Sequence, residues 1–501
     1  MAGMTRRGFL AAGAAACAAV PFPRMALAQP GALPLKAATR VLDIDGRAAT
    51  VFGLQGPAGQ GLVLNPGQRF LVDLHNALDE ATLIHWHGQI PPNVQDGVPD
   101  LPLPALAPGE SRRYDYAPLP GTYWMHAHIP LQEMRLLAAP LIVRSPQDVA
   151  EDRQEVVMFL HDFAFKSSQE IMEEIAGSAA AAGHGGHAAA PDGGAPAMGR
   201  PMGQGMGHGM GHGGMMMGQG GMSHGGMGGM AMDLNDYDWD AYLTNDRTLS
   251  DPEVIRVERG GRLRVRVINA ASATVFWFDS GVLDARLVAV DGHAVQPQAG
   301  TRFGLAMGQR LDLEIDLPQM DGAWPLLALR EGARERSGLV VATPGAMVRK
   351  IGALSTREAP AFDTDLMQEQ SLVGLDPLPQ RAADVRYRVM LSGSMQPYRW
   401  AINGRTWGDH IPLTARTGQR VELSFHNMSM MAHPMHLHGH VFQVVAINGR
   451  RFAGARRDTV HVPPMTHVTI AFDAGEAARW MLHCHHMPHL QMGMMTELAL
   501  G

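Results

Sequence analysis

The sequence predicts an all-β protein of three consecutive Greek-key β-barrel domains, with a Met/Gly/His-rich insert between the first and the second. Three observations carry this prediction. One short strand unit recurs three times with constant internal spacing. Pro and Gly punctuate short alternating runs, while long helical periodicity is scarce. One segment breaks this pattern with a composition that cannot build a core.

In the recurring unit, Gly67-Gln68-Arg69 leads through FLVDL to His75-Asn76. Gly260-Gly261-Arg262 leads through LRVRV to Ile268-Asn269, and Gly418-Gln419-Arg420 through VELSF to His426-Asn427. The first Gly and the final Asn stand nine positions apart each time. Leu263, Val265 and Val267, or Val421, Leu423 and Phe425, alternate with polar residues as in a half-buried strand. Three such runs point to three homologous units. A second correspondence links the ends: Gly121-Thr122-Tyr123-Trp124 runs into His126-Ala127-His128, and Arg479-Trp480 runs into His483-Cys484-His485. The middle unit has Trp324 in a similar place but no histidine pair after it, so it reads as a spacer. The expected division is a signal over 1–28, domain 1 over 29–148, a linker over 149–235, domain 2 over 236–345, a linker over 346–380 and domain 3 over 381–501.

Within the first linker, residues 183–232 hold 20 glycines and 11 methionines, with only Asp192 and Arg200 charged. This insert is expected to be disordered. A short helix is expected just before it, from Ser167 to Ala182.

The chain has 501 residues, of which 46% are hydrophobic, enough for packed cores. Its formal net charge of -7 argues against a nucleic-acid partner. Thr5-Arg6-Arg7-Gly8-Phe9-Leu10 resembles a twin-arginine motif; a small-residue apolar run and the A-x-A site Ala26-Leu27-Ala28 follow. Export to the periplasm is therefore expected. Loss of Arg6, Arg7 and Arg24 with the signal takes the formal charge from -7 to -10. No later run is long and apolar enough for a membrane helix. Of the two cysteines, Cys17 lies in the signal, so Cys484 is the one expected in the mature chain. It has no intramolecular partner and is either a buried inert thiol or a ligand.

Histidines cluster at His85-Trp86-His87, His126-Ala127-His128, His433-Pro434-Met435-His436-Leu437-His438 and His483-Cys484-His485 with His489 and Met494. Successive strand side chains face opposite ways, so His483 and His485 share a face and Cys484 takes the other. Metals held on the two faces would be joined through a few covalent bonds. Cys, His and a weakly held Met form the ligand set of an electron-transfer copper. Ten clustered histidines are too many for one four-ligand structural zinc.

With these four motifs in order, the chain resembles the three-domain multicopper oxidases, of both laccase-like and copper-resistance cuprous oxidase type. The resemblance implies cupredoxin-like barrels and four copper ions: one type 1, one type 2 and two type 3. It implies His433, Cys484 and His489 at the type 1 copper with Met494 axial, and His85 and His436 at type 2. It implies His87, His126 and His485 at one type 3 copper, and His128, His438 and His483 at the other. Substrate would be oxidised one electron at a time at type 1, Cys484 would pass the electrons on, and O2 would be reduced to water at the trinuclear cluster. Asp96, in Gln95-Asp96-Gly97, matches a carboxylate expected to relay protons or orient ligands. Some cuprous oxidases carry an acid directly after the last type 1 histidine; here that position is Leu490.

The expected function is Cu(I) oxidation for copper tolerance, because the thioethers of the insert favour Cu(I) and Asn427-Met428-Ser429-Met430-Met431-Ala432 is similar to copper-resistance oxidases. The alternatives are a general laccase-like oxidase of phenols and aromatic amines, and a non-catalytic copper-binding cupredoxin protein. A monomer is expected.

Overall fold

The computed structural model describes residues 31–182 and 234–501. The expected signal over 1–28, with Cys17, and the insert over 183–232 lie outside the described residues. Among the described residues the strands form six sheets, two in each of three successive units. No helix among them is long and apolar enough to cross a membrane.

The recurring strands hold one topological place. They are Phe70–Asn76, Arg262–Asn269 and Arg420–Asn427. Each pairs in parallel with the first long strand of its unit: Leu33–Ile44, Gln154–Phe163 or Val385–Met395. On its other side each pairs antiparallel with Ser111–Tyr116, Arg310–Asp316 or His467–Asp473. A parallel pair needs a crossover between sheets rather than a hairpin, as a Greek-key barrel provides.

The two end residues of the repeat have separate reasons. Gly67, Gly260 and Gly418 all have φ between +61° and +82°, a turn conformation that costs glycine little. Asn76, Asn269 and Asn427 are fully buried and make the same three bonds. Each Nδ2 donates to two carbonyls: Glu80 and Leu106, Thr274 and Leu305, or Met431 and Val462. Each Oδ1 accepts from the backbone N–H two residues on: Leu78, Ala271 or Ser429. The asparagine thus satisfies the polar backbone of the loop that follows the strand, which would otherwise be buried unpaired.

The expected 149–235 linker is corrected at its start. Gln154–Phe163 is an internal strand of the middle unit's six-stranded sheet, between Ala241–Thr244 and Arg262–Asn269. From Met158 to Phe163 every side chain is buried, so no alternation marks it as a strand. The expected helix runs over Ser168–Ala182. Ser167 and Glu170 form its reciprocal capping pair. Ile171, Met172 and Ile175 are buried in one core with Tyr398 and Trp400 of the third unit.

Candidate metal centre

Strand Arg479–Cys484 lies beside His433–Leu437, with Met435 opposite Cys484 and His436 opposite His483. On one side, Cys484 Sγ is 3.6 Å from His433 Nδ1 and 3.7 Å from His489 Nδ1. The two Nδ1 atoms are 3.2 Å apart. The turn into helix Met487–Gln491 brings His489 back to its own strand. Met494 is fully buried in the same core, its N–H donating to His489 O at 3.0 Å. The outer nitrogen of His433 meets Ser429 Oγ at 2.8 Å, and that of His489 meets Asp236 at 3.4 Å. Burial pushes the Cys484 thiol up, and the Asp236 carboxylate adds to the rise.

On the opposite side eight histidines converge. Strands Ile84–His87 and Gly121–Ala127 pair with His85 opposite His126. His85 stacks on His438 and His87 on His436, both with centroids 3.8 Å apart. His85 and His436 face each other through Nε2 at 3.4 Å. His483 Nε2 lies 3.4 Å from His128 Nε2 and 3.0 Å from His438 Nε2. His87, His126 and His485 form a third convergent, fully buried group. The groupings that the resemblance implies are therefore brought together.

Acceptors outside these rings orient them. His85 and His436 donate from Nδ1 to the carbonyls of Asp96 and Asp458, each at 2.8 Å. His438 donates to Asp96 Oδ2 at 2.8 Å, and His483 to Cys484 O at 3.0 Å. Glu133 Oε2 is 2.6 Å from His126 Nδ1, and its Oε1 is 3.9 Å from His485 Nδ1. These bonds leave the inner nitrogens without protons to share. His87 Nδ1, His126 Nε2 and His485 Nε2 are buried with no protein partner. Burial and neighbouring imidazoles push His87, His126, His128, His438, His483 and His485 well below the usual histidine range. Neutral imidazoles with outward protons and inward lone pairs are what metal ligation requires. The donor set fits copper: thiolate and imidazole on one side, imidazoles alone on the other.

Three acids were missed by sequence reasoning. Glu133 sits in a one-turn helix, Pro130–Glu133, five residues beyond His128. Asp236 follows the insert; its fully buried carboxylate also accepts from Tyr398 OH and lies 3.7 Å from His486 Nε2. Asp458 meets His87 Nε2 at 3.0 Å and Arg310 of the middle unit at 2.7 Å. The middle unit is therefore more than a spacer. None of the three has a local pattern, since each is defined by a partner distant in the chain.

Residues 40–148, 210–344 and 382–500 each match a family model described as multicopper oxidase. Multicopper oxidase MmcO of Mycobacterium tuberculosis is 29% identical, over 99% of this chain and 96% of its own. Copper resistance protein A of Escherichia coli is 24% identical, over 89% of this chain and 88% of its own. The crystal structure of a multi-copper oxidase from Pseudomonas thermotolerans has the same fold, with a TM-score of 0.65 and 21% identity over 93% of this chain and 98% of that one. The chain belongs to the multicopper oxidases, with three cupredoxin-like domains. It is a copper-dependent oxidoreductase that uses O2 as electron acceptor.

Proposed function

We propose that this chain oxidises Cu(I) at a type 1 copper and reduces O2 to water at a trinuclear cluster, protecting an exported compartment from copper. His433, Cys484 and His489 would hold the type 1 ion, with Met494 as a further ligand. His85 and His436 would hold type 2. His87, His126 and His485 would hold one type 3 ion, and His128, His438 and His483 the other. Copper there would supply one-electron oxidation on one side of the strand and four-electron reduction of O2 on the other. The observation that carries this reading is the Cys484 strand, whose thiol meets two Nδ1 atoms while the flanking His483 and His485 join two separate histidine groups.

The chain's own residues divide the remaining work. Cys484 joins the two sides through its backbone, and its carbonyl accepts from the His483 ring. Asp96 accepts from His438 Nδ1 and is close enough to His85, at 3.4 Å, to move a proton along the cluster's edge. Glu133 is a further buried carboxylate on the opposite flank. Because both halves of the site come from one chain, a monomer is sufficient.

Cu(I) is favoured as donor by two features. Asp236 sets an anionic group at the His489 edge, which suits a cation. Both described ends of the Met-rich insert meet the third unit: helix Ser168–Ala182 packs on strand Tyr398–Ile402, and Asp236 bonds to Tyr398. Relatives named copper resistance protein A agree with this role, and the twin-arginine-like start agrees with periplasmic export. Relatives named laccase support the second reading, oxidation of phenols and aromatic amines. The test is O2 uptake with Cu(I) and with a phenol, in copper-loaded protein with and without residues 183–232. Loss of Cu(I) turnover alone supports the first reading; equal activity with and without these residues removes the insert from catalysis.

A further inference from the structure

The middle unit supplies no proposed ligand, yet one of its turns lies against the trinuclear histidines. Gly308 has φ +82°, and a Cβ there would meet His485 Cδ2 at 3.0 Å and His87 Cε1 at 3.2 Å. Gln309 Nε2 donates to Thr459 O at 3.1 Å. Arg310 is fully buried and donates Nη1 and Nη2 to Asp458 Oδ1 and Oδ2 at 2.7 and 2.5 Å. Its Nη1 also donates to Gly308 O and its Nε to Thr122 O. Gly88 makes room for this pair, since a Cβ there would come within 2.5 Å of both partners. Asp458 Oδ1 then lies 3.0 Å from His87 Nε2. One residue from each domain forms the line His87, Asp458, Arg310.

His87 differs from the rings that face one another through Nε2 in the trinuclear group. His128, His438 and His483 face one another through Nε2, whereas His87 turns Nε2 outward to Asp458 and to Thr459 Oγ1, both at 3.0 Å, and leaves Nδ1 buried without a partner; Thr459 Oγ1 itself donates to Asp458 Oδ1, so the carboxylate anchors both. This inverted ring needs its own acceptor. Asp458 has a competing neighbour, because its Oδ1 is only 3.6 Å from His436 Nδ1. A two-pronged guanidinium fixes both oxygens and so the plane of the carboxylate, while a single ammonium contact would leave that plane free to turn.

We infer that Arg310 is a positioning residue of the trinuclear centre: by clamping both oxygens of Asp458 it holds the His87 proton on Nε2 and keeps Nδ1 for the metal. This rests on the ligand set proposed above. In Arg310→Gln, chelator competition should show trinuclear copper bound about 10- to 100-fold more weakly, while the type 1 copper and its blue colour persist. Arg310→Lys should show the same selective loss. Undiminished copper in Arg310→Gln, or full rescue by Lys, overturns the inference, since a buried charge alone would then suffice. The metal-free wild type gives a measure that does not depend on variant folding. Ring nitrogen NMR of 15N-histidine protein, assigned by a His87→Asn difference, should find the His87 proton on Nε2; a proton on Nδ1 overturns the inference. Wild-type uptake confined to the type 1 copper would overturn the ligand set and this inference with it.

Discussion

The Asp236 carboxylate lies 3.4 Å from Nε2 of His489, the ring whose Nδ1 faces Cys484. An anion at this distance stabilises the more positive oxidation state of a metal on that ring. Asp236→Asn should therefore raise the type 1 reduction potential by on the order of tens of mV, given ~59 mV per tenfold for one electron. It should also raise KM for Cu(I) more than for a neutral phenol. A redox titration of the blue band with no shift would separate Asp236 from the type 1 site.

Cys484 and Met494 make separable predictions. Cys484→Ser should abolish the intense blue colour, since the thiolate is its source. Met494→Leu should keep the colour and raise the potential if the Met494 thioether is the ligand proposed above. Colour retained in the serine variant would remove Cys484 from the type 1 copper.

Asp96 accepts from His438 Nδ1 at 2.8 Å and lies 3.4 Å from His85. Asp96→Asn should slow O2 reduction by about 10- to 100-fold, the usual cost of disturbing a ligand's outer partner. Reduction of the type 1 copper by substrate, followed by stopped-flow bleaching without O2, should be unaffected. Equal slowing of both steps would point to a folding defect instead.

Asn427→Ala takes the side-chain partner from the Val462 carbonyl and the Ser429 N–H, and leaves the Met431 carbonyl with the Ser429 hydroxyl alone. Each buried polar group left unpaired costs about 1–3 kcal/mol, so the thermal midpoint should fall by several degrees. The type 1 colour should also weaken, because Ser429 holds His433 Nε2 at 2.8 Å. Asn269→Ala, in the unit that supplies no proposed ligand, should lose stability alone.

Stability should fall in acid. Burial pushes His161, His293 and His461 down to about 4, well below their unfolded value of 6.5. The unfolded chain therefore takes up these protons first. Stability is full above about pH 6.5 and is lost as pH falls toward 4, by roughly 1.4 kcal/mol per pH unit for each proton. Urea midpoints of metal-free protein between pH 7 and 5 would show it; a flat profile would contradict the burial of these rings.

The candidate metal groups were legible in the sequence because their residues come in short strands with fixed parity, as in His483, Cys484 and His485. The three units were legible because Gly67, Gly260 and Gly418 and the asparagines nine positions later obey the same local backbone rules. The strand Gln154–Phe163 was not, because a run buried on both faces carries no alternation. Glu133, Asp236, Asp458 and Arg310 were not, because what defines each is a partner elsewhere in the chain. Arg310 and Asp458, for example, are 148 positions apart. Nothing near either residue marks the other.

His128 and His483 face each other across 355 positions of chain. A copper ion gripped by both would be a cross-link closing a very long loop, the kind of closure that removes most freedom from an unfolded chain. Among the described residues Cys484 is the one free cysteine, and it has no sulfur partner. The cluster would then do for this chain what disulfides do for other proteins, with the difference that a chelator rather than a reductant would undo it.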